Sequence, residues 1–240
     1  MNFEFQYIVD AIPALLQGAK LTWYITIVGI VGGLVLGTVA GILRLAGTKE
    51  IGGESFGVFR FFGWAGQKLA ASYVELIRGT PIIVQAMFIY FALPMLIEVV
   101  TGIRGVRFDA LTAAIITIII NAGAYIAEIV RGAVQSVNKG LVEAGISMGI
   151  TRLQLLGSIV GPIAFKRAIP PLGNQFIISL KDTSLFIVIG VGELTRQGQE
   201  IMASNFRALE IWLAVAVCYL IMTTALALFM KYLERRIQII

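Results

Sequence analysis

Five stretches of this chain are apolar over the length that a lipid bilayer demands of a helix, and that property excludes most soluble folds. A hydrocarbon core of about 30 Å is crossed by about 20 mostly apolar residues in helical conformation. The stretches Leu21–Leu43, Leu69–Ile97, Ala110–Val130, Leu172–Val191 and Ile211–Met230 meet that length. Composition agrees: 58% of the 240 residues are hydrophobic and only 14% are charged, against about 45–50% and about 25% in soluble domains. A cytosolic enzyme with one packed core is excluded. The expected fold is an all-α integral membrane protein with five transmembrane helices, a single domain over 1–240. The chain has no His and one cysteine, Cys218, which rules out His-based triads, His-liganded metals and an intrachain disulfide. The basic pI of about 9.5 is no argument for nucleic-acid binding, because membrane proteins keep Lys and Arg in their cytoplasmic loops. The segment Met1–Phe5 lacks a basic n-region, so no signal peptide is expected.

Ahead of the first span, Phe5, Ile8, Val9, Ile12, Leu15 and Leu16 recur at near-helical spacing and suggest an interfacial amphipathic helix. Orientation follows from charge. Segments 44–68, 131–171 and 231–240 carry twelve Lys and Arg, while the opposite side carries five: Lys20, Arg104, Arg107, Arg196 and Arg207. The positive-inside rule then puts the N-terminus outside and the C-terminus in the cytoplasm. Within the first span Gly29, Gly33, Gly37 and Gly41 share one helix face. Such a face lets two backbones approach closely, either within the chain or between subunits.

The stretch 131–171 is the one cytoplasmic segment long enough for a docking element. Lys139–Met148 reads as a short helix that Gly149 stops. Thr151-Arg152-Leu153-Gln154 reads as a capping box that starts a second helix, and Gly161-Pro162 is expected to end it. A DNA-reading role for this helix–turn–helix is disfavoured by the apolar spans that flank it. Glu143-Ala144-Gly145, then Gly149, then Ile159-Val160-Gly161-Pro162 resembles the EAA loop of ABC-importer permeases. Two positions depart from that pattern: Gly145 stands for the second Ala and Gly161 for a Leu. The stretches Tyr73–Pro81, Asn121–Glu128, Pro170–Asn174 and Lys181–Leu185 resemble the polar-amino-acid branch of the same type I permeases. The resemblance implies a coupling loop, with Glu143, Ala144, Gly145 and Gly149 meeting an ATPase subunit.

Charges inside a span cost about 2.5–3.5 kcal/mol each on insertion scales and are usually functional. Asn121, Tyr125 and Glu128 fall on one helix face, and Glu75 and Arg78, three residues apart, can neutralise each other. The pair echoes Glu128 and Arg131 further on, as chance or as a trace of duplication. The second span either begins near Leu69, with Pro81 breaking it in mid-membrane, or begins at Pro81. An amino acid offers a carboxylate and an ammonium group, so a carrier site needs both signs and neutral hydrogen-bonders. Glu75, Arg78, Asn121, Tyr125, Glu128, Asp182 and Thr183 supply them. Acids outnumber bases among the charges at membrane depth, a lean toward a basic amino acid.

No Gly-x-x-x-x-Gly-Lys-Ser/Thr motif occurs, so ATP and Mg are expected on two separate ATPase subunits and this chain is not expected to be an enzyme. The resemblance implies a multi-pass permease of the bacterial inner membrane working by alternating access. Its expected partners are an extracellular solute-binding protein, a second permease subunit (a homodimer being favoured) and membrane lipid. The competing reading is an ion-coupled secondary transporter that needs no ATPase.

Overall fold

The computed structural model describes residues 3–45 and 57–237, with no side-chain placement at 57–62, 152 and 153. Lys49 and the side chains of Arg60 and Arg152, which entered the charge argument, lie outside the described residues. Among the described residues all regular structure is helical, and five helical stretches are long and apolar enough to span a bilayer. They are Phe5–Leu45, Ile82–Thr101, Ala110–Gln135, Leu156–Ile189 and Ala208–Arg236. The first, α1 (Phe5–Leu45), is continuous, so the amphipathic stretch before Leu21 runs unbroken into the span.

The second expected span is divided. Helix α2 (Gly57–Arg78) stops at Arg78, Gly79-Thr80 turns, and Pro81 takes an extended backbone (φ −64°, ψ 140°) before α3 (Ile82–Met87). Proline disfavours α-helical geometry in the residue before it and has no N–H to continue a ladder. Its carbonyl nevertheless accepts from Val84 and Gln85 and opens the new helix. The bilayer-length stretch therefore begins at Ile82, and Glu75 and Arg78 precede it.

Two further prolines are absorbed rather than obeyed. A π-helical turn, Phe88–Ala92, precedes α4 (Leu93–Thr101) and Pro94; another, Leu156–Val160, separates α7 (Arg152–Leu155) from α8 (Gly161–Asp182) and precedes Pro162. In each case the residue just before the proline donates to the carbonyl five back, Leu93 to Phe88 and Gly161 to Leu156. A proline ring crowds the carbonyl four residues earlier, and the wider π turn accommodates that crowding without ending the helix. Gly161-Pro162 is thus not a terminator, and the fourth span starts well before the expected Leu172. A 3₁₀ segment, Thr183–Ile189, completes it.

The chain forms two compact units, each assembled from three separate segments. The first comprises 1–31, 80–119 and 176–229. It includes the start of α5 (Ala110–Gln135), α9 (Leu194–Asn205) and most of α10 (Ala208–Arg236). Glu193, with no exposed surface, caps α9: its carboxylate accepts from the Thr195 and Arg196 amides at 3.0 and 2.9 Å and from the Tyr219 hydroxyl at 2.8 Å. Burial pushes the Glu193 carboxyl above the usual carboxylate range, and those three donors pull it part of the way back. Losing the cap leaves two amides and a phenol without their acceptor. Glu193→Ala is therefore expected to lower unfolding stability by about 1–2 kcal/mol. An unchanged thermal midpoint in detergent would contradict this.

In the second unit (32–79, 120–175 and 230–240) α1 lies along α5. A Cβ on Gly33 would sit 3.1 Å from Ala122 Cβ, one on Gly37 2.6 Å from the Gly123 carbonyl oxygen, and one on Gly41 2.9 Å from the Ala127 carbonyl oxygen. The side chains met are those of Ala122, Ile126 (Cβ at 2.7 Å) and Val130 (Cβ at 2.9 Å), an advance of four residues with each glycine, as two parallel helices in a fixed register require. The glycine face is an intramolecular seam. In the first unit Gly29 extends the same register onto Ile118. Tyr73 of α2 is tied to α5 by donating its hydroxyl to the Ile120 carbonyl at 2.6 Å.

Candidate functional site

The segment after α5 forms α6 (Lys139–Ser147), and its C-terminal end follows the expected chemistry. Asn138 caps the start, its side-chain oxygen accepting from the Gly140 amide at 2.8 Å. At the other end Gly149 adopts φ +77°, its amide donating to the Ile146 carbonyl and the Ile150 amide to the Gly145 carbonyl. That double closure needs a left-handed residue at Gly149, which glycine adopts without a Cβ penalty. The capping box also forms: the Thr151 amide donates to Gln154 Oε1 at 3.1 Å, and the Gln154 amide to Thr151 Oγ1 at 3.4 Å.

Beneath α6 lies an apolar cluster of Ala133, Val137, Leu155, Val160, Ala164 and Ala168. Arg167 braces the turn before the helix by donating to the Ser136 carbonyl and hydroxyl. The four residues given coupling roles divide on this platform. Glu143 and Ala144 are exposed, Gly149 shapes the turn, and Gly145 is buried, where a Cβ would reach 2.3 Å from Leu155 Cδ1. The small residue at 145 therefore lets α6 seat on its own platform. Leu141, Ile146 and Met148 stand exposed beside Glu143. Sequence reading missed these three, although Leu141 and Ile146 on either side of Glu143 and Met148 just past the helix were the available signal.

The charged positions converge around Glu128, also in the second unit. Its carboxylate pairs with Arg44 and with Arg131, and Arg78 Nη1 lies 3.9 Å away. The Arg78 guanidinium also sits 5.2 Å from the centroid of the Tyr125 ring, a cation–π contact. Arg78 is thus turned toward Tyr125 and Glu128 instead of Glu75, which is exposed and has no ion-pairing cation among the described residues. Asn121 is buried one turn above Tyr125 on α5. The charge distribution counts Arg44 and Arg131 among the cytoplasmic charges, and Arg131 also appears in the echo of Glu75 and Arg78; the three-residue spacing of Glu128 and Arg131 is the sequence signal for that pair. Arg44 gave none, since it lies 84 residues from its partner.

Asp182 and Thr183 belong to the first unit. Asp182 ends α8, half-buried, while Thr183 is fully buried and donates its hydroxyl to the Leu180 carbonyl at 2.8 Å.

Bilayer-length helices, an ionic cluster on them and a braced, exposed short helix describe a multi-spanning α-helical membrane protein. The chain belongs to the family of binding-protein-dependent transport system inner membrane components, whose sequence profile matches residues 51–239. It is 52% identical over 240 residues to the glutamine transport system permease protein GlnP of Escherichia coli (strain K12), covering 100% of both chains. It is 29% identical over 238 residues to the arginine transport system permease protein ArtQ of Bacillus subtilis (strain 168), covering 99% of each. Among solved structures it resembles the crystal structure of an amino acid ABC transporter with histidines, with a TM-score of 0.83 and 30% identity over 98% of this chain and 100% of that one. The resemblance read from the EAA-like loop and the other stretches holds: this is a permease of the ABC-importer type, of a family that works with ATPase subunits and a binding protein.

Proposed function

We propose that this chain is the transmembrane subunit of an ABC importer for glutamine, in the bacterial inner membrane with its N-terminus outside. The observation that carries the reading is α6: a short helix capped at both ends and seated on its own apolar platform, with Glu143, Ala144, Leu141 and Ile146 exposed on it and Met148 exposed at its C-cap. A rigid helix of that kind transmits a push, and its exposed apolar side chains need a partner. Two ATPase subunits holding ATP and Mg would supply that partner and the energy. A second copy of the permease would complete the pathway.

Glutamine rests on the relative that is 52% identical over its whole length. Arginine is the second reading, supported by the 29% identical relative and by the surplus of acids at membrane depth. Against it, Glu128 is already shared among arginines. Arg78 has the loosest hold on that carboxylate, so an incoming α-carboxylate could compete for it above the Tyr125 ring.

The test is uptake of labelled glutamine and arginine by proteoliposomes holding the permease, its ATPase subunits and the glutamine-binding protein of the same organism. Glu143→Arg is expected to reduce ATPase-subunit co-purification and uptake at least about tenfold, the effect of losing a central interface residue, with membrane insertion intact. Glutamine uptake without ATPase subunits would instead establish the ion-coupled carrier. Uptake of arginine but not glutamine would overturn the substrate assignment alone.

A further inference from the structure

Phe206 is the only non-glycine residue with a positive φ among the described residues (φ 57°, ψ 22°), in the left-handed region. An L side chain there crowds its own following carbonyl, so helices that end in this way generally place glycine at the position. A bulky aromatic in its place is a strained choice that local folding does not explain. The ring is not a core anchor, since 75% of its surface is exposed.

The turn that carries it is held firmly from below. The Phe206 amide closes α9 on the Met202 carbonyl at 2.8 Å, and the Arg207 amide donates to Asn205 Oδ1 at 2.9 Å. The Arg207 guanidinium pairs with Glu4 at 2.8 Å and Glu210 at 3.6 Å, and lies 4.5 Å from the Tyr7 ring centroid. The Glu4 amide in turn donates to the Glu210 carboxylate at 3.3 Å. Phe3 and Phe5, which bracket Glu4, are exposed as well. The result is an apolar tip on an ionic platform.

The platform also tells which side of the membrane the tip is on. Glu4 stands at the start of α1 and Arg207 just before α10, so the N-terminus and this turn share one side, the outer one by the charge distribution. The turn that carries Phe206 is tied to two carboxylates and a guanidinium, a poor bed for hydrocarbon. An exposed aromatic on an ion-paired turn has instead the make-up of an interface hot spot. We propose that Phe206 is a docking anchor for the solute-binding protein, displayed by the strained turn and held in place by the Glu4–Arg207–Glu210 cluster. The inference rests on the importer reading above.

Phe206→Gly separates display from structure, because glycine fits the left-handed turn better than phenylalanine. In nanodiscs holding the permease and ATPase subunits, the concentration of glutamine-loaded binding protein that half-saturates ATPase stimulation is expected to rise about tenfold. The maximal rate and the thermal midpoint are expected not to fall. A photocrosslinking p-benzoylphenylalanine in place of Phe206 is expected to capture the binding protein. Unaltered half-saturation, or crosslinks only to a second permease or to lipid, would overturn the anchor and leave the importer standing. Absence of stimulation in the unsubstituted complex would overturn the importer reading and the anchor with it.

Discussion

Glu128→Ala is expected to lower the stability of the second unit by about 2–3 kcal/mol. Glu128 is the acid on which Arg44, Arg131 and, at longer range, Arg78 converge. Removing one partner of a buried ion pair costs about 3–5 kcal/mol, because the remaining charge is left desolvated. Here 25% of the Glu128 side chain and 16% of the Arg44 side chain are exposed, so water recovers part of that cost. Glu128→Gln keeps the volume and an acceptor and should lie between the parent and the alanine variant. Adding Arg131→Ala to Glu128→Ala removes a cation that has lost its carboxylate and should restore part of the stability. Thermal unfolding in nanodiscs reads all three. Independent, additive effects of Glu128 and Arg131 would show that the pair does not hold this end of α5.

Gly37→Val is expected to cost about 2–3 kcal/mol by a different route, forced separation of two helices. The first added carbon already lies 2.6 Å from the Gly123 carbonyl oxygen and 2.7 Å from Ile126 Cβ. Neither atom can swing aside, one being backbone and the other the branch point of a packed side chain. Gly33 and Gly41, one turn away on either side, also lie close to α5, at 3.1 and 2.9 Å from an added Cβ, so a local bulge cannot relieve the clash. Gly132→Ala on α5 is the control, since an added Cβ there meets nothing within 4 Å. It is expected to be neutral or stabilising by up to about 1 kcal/mol through helix propensity. Equal melting of both variants would mean that the seam yields more easily than its spacing suggests.

These two cases show where the chain is legible. The glycine spacing announces a close helix contact, but four glycines in a row fit a neighbour in the same chain as well as one in another subunit. The partner is Ala122 to Val130 of α5, more than eighty residues away, and only the assembled bundle identifies it. Glu128 is similar. Its neighbour Arg131 could be read from the three-residue spacing, whereas Arg44 reaches it only because α1 and α5 run parallel in fixed register. The pairing expected for Glu75 and Arg78 fails for the same reason: Tyr125 and Glu128 on α5 attract Arg78 more strongly than a neighbour exposed to solvent.

Local signals fared according to how local they were. Gly149 and the Thr151–Gln154 box act through hydrogen bonds spanning three to five residues, and both form as expected. Gly161-Pro162 obeys an equally local rule but does not stop its helix, because a π turn supplied the room the proline ring needs. Gly145 was expected to face a partner and faces Leu155, a choice made by the packing of one helix on the next.

By itself, then, the sequence determined a helical membrane protein with five apolar spans, a capped helix in its long loop and the family to which it belongs. Bilayer thickness, backbone hydrogen bonding and motif spacing all act along the chain and can be read from it. Tertiary structure alone decided which helix the glycine face meets, which arginines share Glu128, which side of α6 is free and where Phe206 is displayed. Those outcomes depend on side chains brought together from distant parts of the chain, and their energies exist only once the helices have packed.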